Sequence, residues 1–248
     1  VQVESFAIRL RQRSPLEAAD MGVRLCQHSA ASVFKCYLVV AIPVMAFTMA
    51  SIEIAAWLPI VAVIWAKPWL DRTILFVLAR AAFGQSTTVR DLWHAQRQVW
   101  WGQLVRTWTT RRLSPWRSFT QPVYQLEGLT GSKLRKRVRQ IRSGKSGSAF
   151  LMTSACSFAE LAIAFSLLAL AVLFAPKGYA PDTLQLVQGE YAPLIPFAIS
   201  LAYTLAVVIV EPFYVGAGFA MYLNRRVDLE AWDIEQEFRR GDFARAAT

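Results

Sequence analysis

Two glutamates and a lysine stand where a chain rarely places charge. Glu160 lies inside "FLMTSACSFAELAIAFSLLALAVLFA" (Phe150–Ala175), and Glu211, followed directly by Pro212, lies in the middle of the apolar stretch Leu194–Arg226. Lys67, with Asp71 and Arg72 just behind it, belongs to the apolar run that begins at Ile54. A charge at the centre of a bilayer costs about 2.5–3.5 kcal/mol on insertion scales, so such groups pair or face a cavity. Two chemistries follow. The carboxylates form an ion, proton or substrate site at mid-membrane, or they and Lys67 form a polar clamp between helices. Lys67 with one of the glutamates is the expected pair, and a carboxylate left unpaired there is expected to keep its proton. Pro212 removes a backbone donor and frees the Val208 carbonyl, so a kink beside Glu211 would open a polar pocket.

These charges need apolar elements to carry them to depth. The 248 residues are 55% hydrophobic, and the apolar residues come in blocks too long for soluble core helices. About 20 such residues cross a bilayer at ~1.5 Å each. The fold class expected is an all-α integral membrane protein with four transmembrane helices. The net charge of +10 is concentrated in the N-terminal tail, the centre and the C-terminal tail, whereas 176–193 is poor in Lys and Arg. Basic loops stay cytoplasmic, so both termini and the centre are expected inside. The divisions expected are 1–32 (a cytoplasmic strand and a capped helix), 33–84 (a first transmembrane pair), 85–148 (a basic cytoplasmic and interfacial region), 149–223 (a second pair) and 224–248 (an acidic helix and tail). Glu53 marks the outer turn of the first pair, and the return helix breaks at "AKPWLDR"; alternatively Ile54–Ala66 is a re-entrant half-helix. At ~1.5 Å per residue, Glu160 and Glu211 then share a depth roughly 15–18 Å from the inner face, with Lys67 near that level and Asp71 and Arg72 closer to the cytoplasm. The chain opens on Val1 without an apolar leader, so its native start is expected upstream and its first span is expected to direct insertion.

The cytoplasmic parts carry their own signals. "SPLE" (Ser14–Glu17) is a helix start, with Ser14 as N-cap, Pro15 at the first position and Glu17 closing a capping box. Leu16, Ala19, Val23, Cys26 and Ala30 follow at helical spacing as a packing face, and Phe6, Ile8 and Leu10 alternate with arginines as a short strand. Val89, Trp93, Trp100, Leu104 and Trp108 align along Thr87–Arg112, either as a helix at headgroup level or as one packed on the ends of the spans. Lys133, Arg135, Lys136, Arg137, Arg139 and Arg142 form a polybasic helix that suits anionic lipid of the inner leaflet, at about 1 kcal/mol per residue near the surface, or a partner's surface. Nucleic acid is not expected. In Arg225–Arg240 an apolar stripe that includes Ile234 and Phe238 runs through acidic surroundings, so Asp228, Glu230, Trp232, Asp233, Ile234, Glu237 and Phe238 form an expected docking helix. Its acid is expected to meet the protein's own basic segment or a partner.

Other motifs fail on spacing. "SGKS" (Ser143–Ser146) ends like a phosphate-binding loop, but the glycine needed at position 139 is Arg139. His28 and His94 lie far apart with no CxxC or HExxH, and Cys26, Cys36 and Cys156 are scattered, so no metal, cofactor or disulfide framework is expected.

"WAKPWLDRTILFVLARAAFGQ" (Trp65–Gln85), "PVYQLEGLTGSKLRKR" (Pro122–Arg137) and "EPFYVGAGFAMYLNRRVDLEAWDIEQEFRR" (Glu211–Arg240) resemble an uncharacterised family of bacterial inner-membrane proteins. The last motif is similar to the ending of multi-spanning proteins related to the membrane domain of glycerophosphodiester phosphodiesterases. That resemblance implies partnership with other inner-membrane proteins and a MoxR-type AAA+ ATPase. Phosphodiesterase activity is not implied, because the catalytic barrel is absent. The functional expectation is a non-enzymatic scaffold or accessory subunit of a bacterial inner-membrane complex; the alternative is a small transporter or lipid-handling protein using Glu160 and Glu211.

Overall fold

The computed structural model describes residues 13–101, 114–174 and 194–230, and every element longer than a turn among them is helical. The expected strand at 6–10 lies outside the described residues. In order the helices are α1 (Pro15–His28), α2 (Ala30–Ala50), α3 (Leu58–Ala81), α4 (Val89–His94), α5 (Arg117–Leu126), α6 (Gly131–Arg142), α7 (Ser146–Leu173) and α8 (Leu194–Glu230). A 3-10 turn at Ser51–Glu53 follows α2, and a π turn at Arg97–Trp101 follows α4. Three helices are long and apolar enough to cross a membrane: α2 with its following turn, α7 and α8. α3 has 24 residues and so a length of about 36 Å, but Lys67, Asp71 and Arg72 interrupt its apolar character.

The expected break at "AKPWLDR" is not there, and Ile54–Ala66 is not a separate half-helix. α3 runs unbroken through Pro68, because losing one backbone donor is outweighed by the burial of every residue from Leu70 to Leu75. α8 likewise continues through Pro212.

One end of the bundle collects most of the short helices. Ser14 caps α1 by accepting the Glu17 amide at 3.2 Å. The buried face of α1 is Ala18, Gly22, Leu25 and Cys26; of the expected stripe Cys26 is buried, Ala19 and Val23 are half-buried against the core, and Leu16 is exposed. Backbone proximity sets that face. A Cβ on Gly22 would lie 2.1 Å from the Gly216 carbonyl oxygen of α8, so α1 and α8 cross where neither has a side chain to separate them. The Arg13 amide donates to Asn224 Oδ1 at 3.0 Å and Asn224 Nδ2 donates back to the Arg13 carbonyl at 2.9 Å. Cys26, within this contact, has its thiol pushed up to about 12 by burial, which keeps it unreactive.

The tryptophan-rich segment is not one amphipathic helix. α4 has six residues, started by a capping box in which Thr88 and Asp91 exchange hydrogen bonds. The π turn that follows leaves the Gln98 and Val99 carbonyls free to accept from Arg72. Leu92 and Val99 are buried while Val89 and Trp93 are exposed; Leu104 and Trp108 lie outside the described residues.

Candidate functional site

Four helices converge on one row of charges. Lys67 and Asp71, four residues apart, share a face of α3. Arg117 opens α5, Glu160 lies midway along α7, and Glu211 sits in the first half of α8. Lys67 Nζ donates to both Glu160 oxygens at 2.6 and 2.8 Å and lies 2.8 Å from Glu211 Oε2. Arg117 Nη2 donates to Glu211 Oε1 at 2.6 Å, and its Nε lies 2.8 Å from Asp71 Oδ2. The order is Glu160, Lys67, Glu211, Arg117, Asp71, alternating in sign. Asp71 and Glu211 are fully buried.

Lys67 therefore meets both glutamates rather than one. Asp71 belongs to the row, at its far end. Arg72 does not: it points to the other side of α3, toward the π-turn carbonyls, as expected for neighbours about 100° apart on a helix. Arg117 takes the place that Arg72 would have filled, and it comes from the region expected to lie wholly outside the membrane pairs. The close approach of α5 to α8 brings it there. A Cβ on Gly218 would lie 2.3 Å from Ser118 Oγ, so only a glycine lets α5 begin at that point. The Ser118 amide then donates to Tyr214 Oη at 3.3 Å, and the Arg117 guanidinium lies 5.3 Å from the Tyr214 ring centroid. No signal in the sequence around Arg117 marks it as part of this row.

Beside the row is a cavity of about 350 Å³ lined by Lys67, Arg117 and Glu160, with Tyr203 and Tyr214. Ile64 and Leu161, which also line it, are exposed on the apolar side of the bundle. Glu211 does not itself line this cavity; Lys67 and Arg117, which do, contact Glu211. A second cavity, about 580 Å³, lies among α1, α2 and the end of α3, and its Arg24 pairs with Asp20 at 3.0 Å. No cluster of three or more metal-ligating side chains occurs among the described residues.

The six basic residues of α6 divide into two sets. Lys133, Arg135, Lys136 and Arg139 are exposed, while Leu134 and Ile141 are buried against the bundle. Arg137 pairs with Glu127 at 2.9 Å and with Glu230, and Arg142 lies 3.5 Å from the Trp116 ring centroid. Tyr222 donates to Glu127 at 2.7 Å. Asp228 lies 3.7 Å from Lys145 and 3.6 Å from Arg225, and Glu230 also takes Arg226 at 2.6 Å. The first acids of the expected docking helix are thus paired within the chain. Trp232, Asp233, Ile234, Glu237 and Phe238 lie outside the described residues.

No family model, curated protein or solved structure matches this chain.

Proposed function

We propose that the chain is a non-enzymatic scaffold or accessory subunit of a bacterial inner-membrane complex, with four spans and both termini cytoplasmic. The observation that supports this reading most is the mutual pairing of the buried charges. All five are engaged with one another, and they tie α3, α5, α7 and α8 together. Breaking a buried pair by removing one partner costs about 3–5 kcal/mol, so the row serves as a lock.

α3 is the fourth span in this reading. The charges that interrupt its apolar character are the ones other helices neutralise. It runs back toward the end where α1, α4, α5 and α6 gather, and the basic residues there favour a cytoplasmic location. Labelling single cysteines in sealed vesicles checks this: positions 54 and 133 should react from opposite sides, and reaction from the same side removes the four-span arrangement.

The exposed face of α6 is the proposed contact with anionic lipid of the inner leaflet. The acidic continuation after Glu230 is the proposed contact with other membrane proteins and, by the resemblance noted above, with a MoxR-type AAA+ ATPase. The deciding experiment is recovery of the tagged protein from native membranes in mild detergent with quantitative mass spectrometry. Changing Asp233 and Glu237 together to Lys should release a stoichiometric partner without loss of the protein. Unchanged recovery counts against that docking face.

A second reading, a transporter or lipid-handling protein, draws on the cavity beside Lys67, Arg117 and Glu160 with its apolar side. It predicts that Glu160→Gln leaves intact protein with altered transport or lipid binding, whereas the scaffold reading predicts a change in stability or assembly.

A further inference from the structure

The row of charges contains acceptors that face one another with no donor group among the described residues placed between them. The Asp71 and Glu211 carboxyl groups lie within hydrogen-bonding reach of each other, and both residues are fully buried. Asp71 Oδ1 and Oδ2 and Glu211 Oε2 receive no hydrogen bond from any described residue. Arg117 Nε and Lys67 Nζ come within 2.8 Å of Asp71 Oδ2 and Glu211 Oε2, close enough for attraction but not aligned as donors to them. Two carboxylates held together in a dry interior do not both stay ionised.

The charge count points the same way. Glu160, Glu211 and Asp71 carry three negative charges when ionised, against two positive charges on Lys67 and Arg117. Among the described residues, the other titratable groups facing them are Tyr37 from α2, Cys156 from α7, and Tyr203 and Tyr214 from α8. None adds a positive charge, and the Tyr37 hydroxyl, itself buried, has no hydrogen-bond partner among the described residues. One negative charge is left over in an interior where an uncompensated charge costs several kcal/mol.

We propose that Asp71 and Glu211 bind one proton between them, so that the five residues form a neutral unit at neutral pH. The proton stays on one carboxyl group and is donated to the other, which gives facing orphan oxygens a donor and cancels the surplus charge. Its ligand is H⁺, and its release restores one negative charge at the contact between α3 and α8. The inference follows from burial and charge count, so it holds for a scaffold and for a transporter alike.

Infrared spectroscopy of the full chain in lipid nanodiscs tests it. Wild-type protein at neutral pH should show the carbonyl stretch of a protonated carboxylic acid, shifting down in D₂O. Asp71→Asn and Glu211→Gln should each abolish that band. Asp71→Asn keeps two carboxylates against two cations and offers an amide donor to Glu211, so it should fold and show wild-type thermal stability. A wild-type spectrum without the band overturns the proposal whatever the variants do. A band that survives both Asp71→Asn and Glu211→Gln overturns it as well.

Discussion

The two halves of α8 differ in the side chains they carry and in what covers them. From Leu194 to Leu205 the helix presents Leu194, Phe197, Ile199, Leu201 and Leu205 outward. From Tyr214 to Leu223 every residue is buried. Gly216, Ala217, Gly218 and Ala220 make that second half narrow, which lets α1 and α5 approach its backbone. One side of the first half is bulky, apolar and exposed, suited to hydrocarbon, while Ser200, Ala202 and Thr204 on its other side are buried; the second half is built to be wrapped by its own chain. The charged row lies at the changeover, where Glu211 marks the end of the exposed half. Apolar character alone therefore says little about which solvent a segment meets; residue size separates the lipid-facing half from the protein-facing half.

Substitution can break this contrast, and the largest effect belongs at the changeover. Lys67→Met leaves Glu160 and Glu211 without their shared ammonium and should cost about 3–5 kcal/mol, read as lost thermal stability in nanodiscs. A cost below about 1 kcal/mol would mean the row does not hold the helices together. In the wrapped half, Gly22→Val puts a side chain into the Gly216 backbone and should cost about 1–3 kcal/mol, while freeing α1 to proteolysis. Phe197→Ala in the outer half should change stability by no more than about 0.5 kcal/mol; a larger loss would show that the outer half, too, is packed against protein. The smallest effect concerns α4. Backbone and side-chain hydrogen bonds from Thr88 hold the Asp91 carboxyl below the usual carboxylate range. A lowered folded value means the cap is fully present at neutral pH and weakens as pH falls through that value. Hydrogen exchange of the α4 amides should quicken only on acidification, and Asp91→Asn should remove that dependence.

Much of this architecture was legible because its signals are local. Ser14 before Pro15 announced α1, and the long apolar blocks announced α2, α7 and α8. The charges inside α7, α8 and the apolar run of α3 marked Glu160, Glu211 and Lys67 before any contact was known. What stayed hidden depends on approach between distant segments. Arg117 read as one more basic loop residue, because nothing in its neighbourhood says that Gly218 admits α5. The face of α1 was only partly legible: Ala19, Val23 and Cys26 pack against the core, while Ala18 and Gly22 were missed. Leu16 fits a hydrophobic stripe, but the missing side chains of Gly22 and Gly216 fix the contact, and an absence of side chain leaves no hydrophobic periodicity. Pro68 read as a break, yet α3 continues through it, as α8 continues through Pro212.

The reciprocal hydrogen bonds between Arg13 and Asn224 have a consequence for how the chain matures. They join residues 211 positions apart, and the Gly22–Gly216 crossing beside them spans almost as much. Segments emerge from the ribosome at about 5–20 residues per second, so α1 waits several seconds or more for the surface it needs. α1 is made well before the surface on which it docks. Until α8 is inserted, Gly22 and Cys26 remain uncovered, and a chain cut short before Gly216 never acquires the docking surface that tells a finished molecule from an unfinished one.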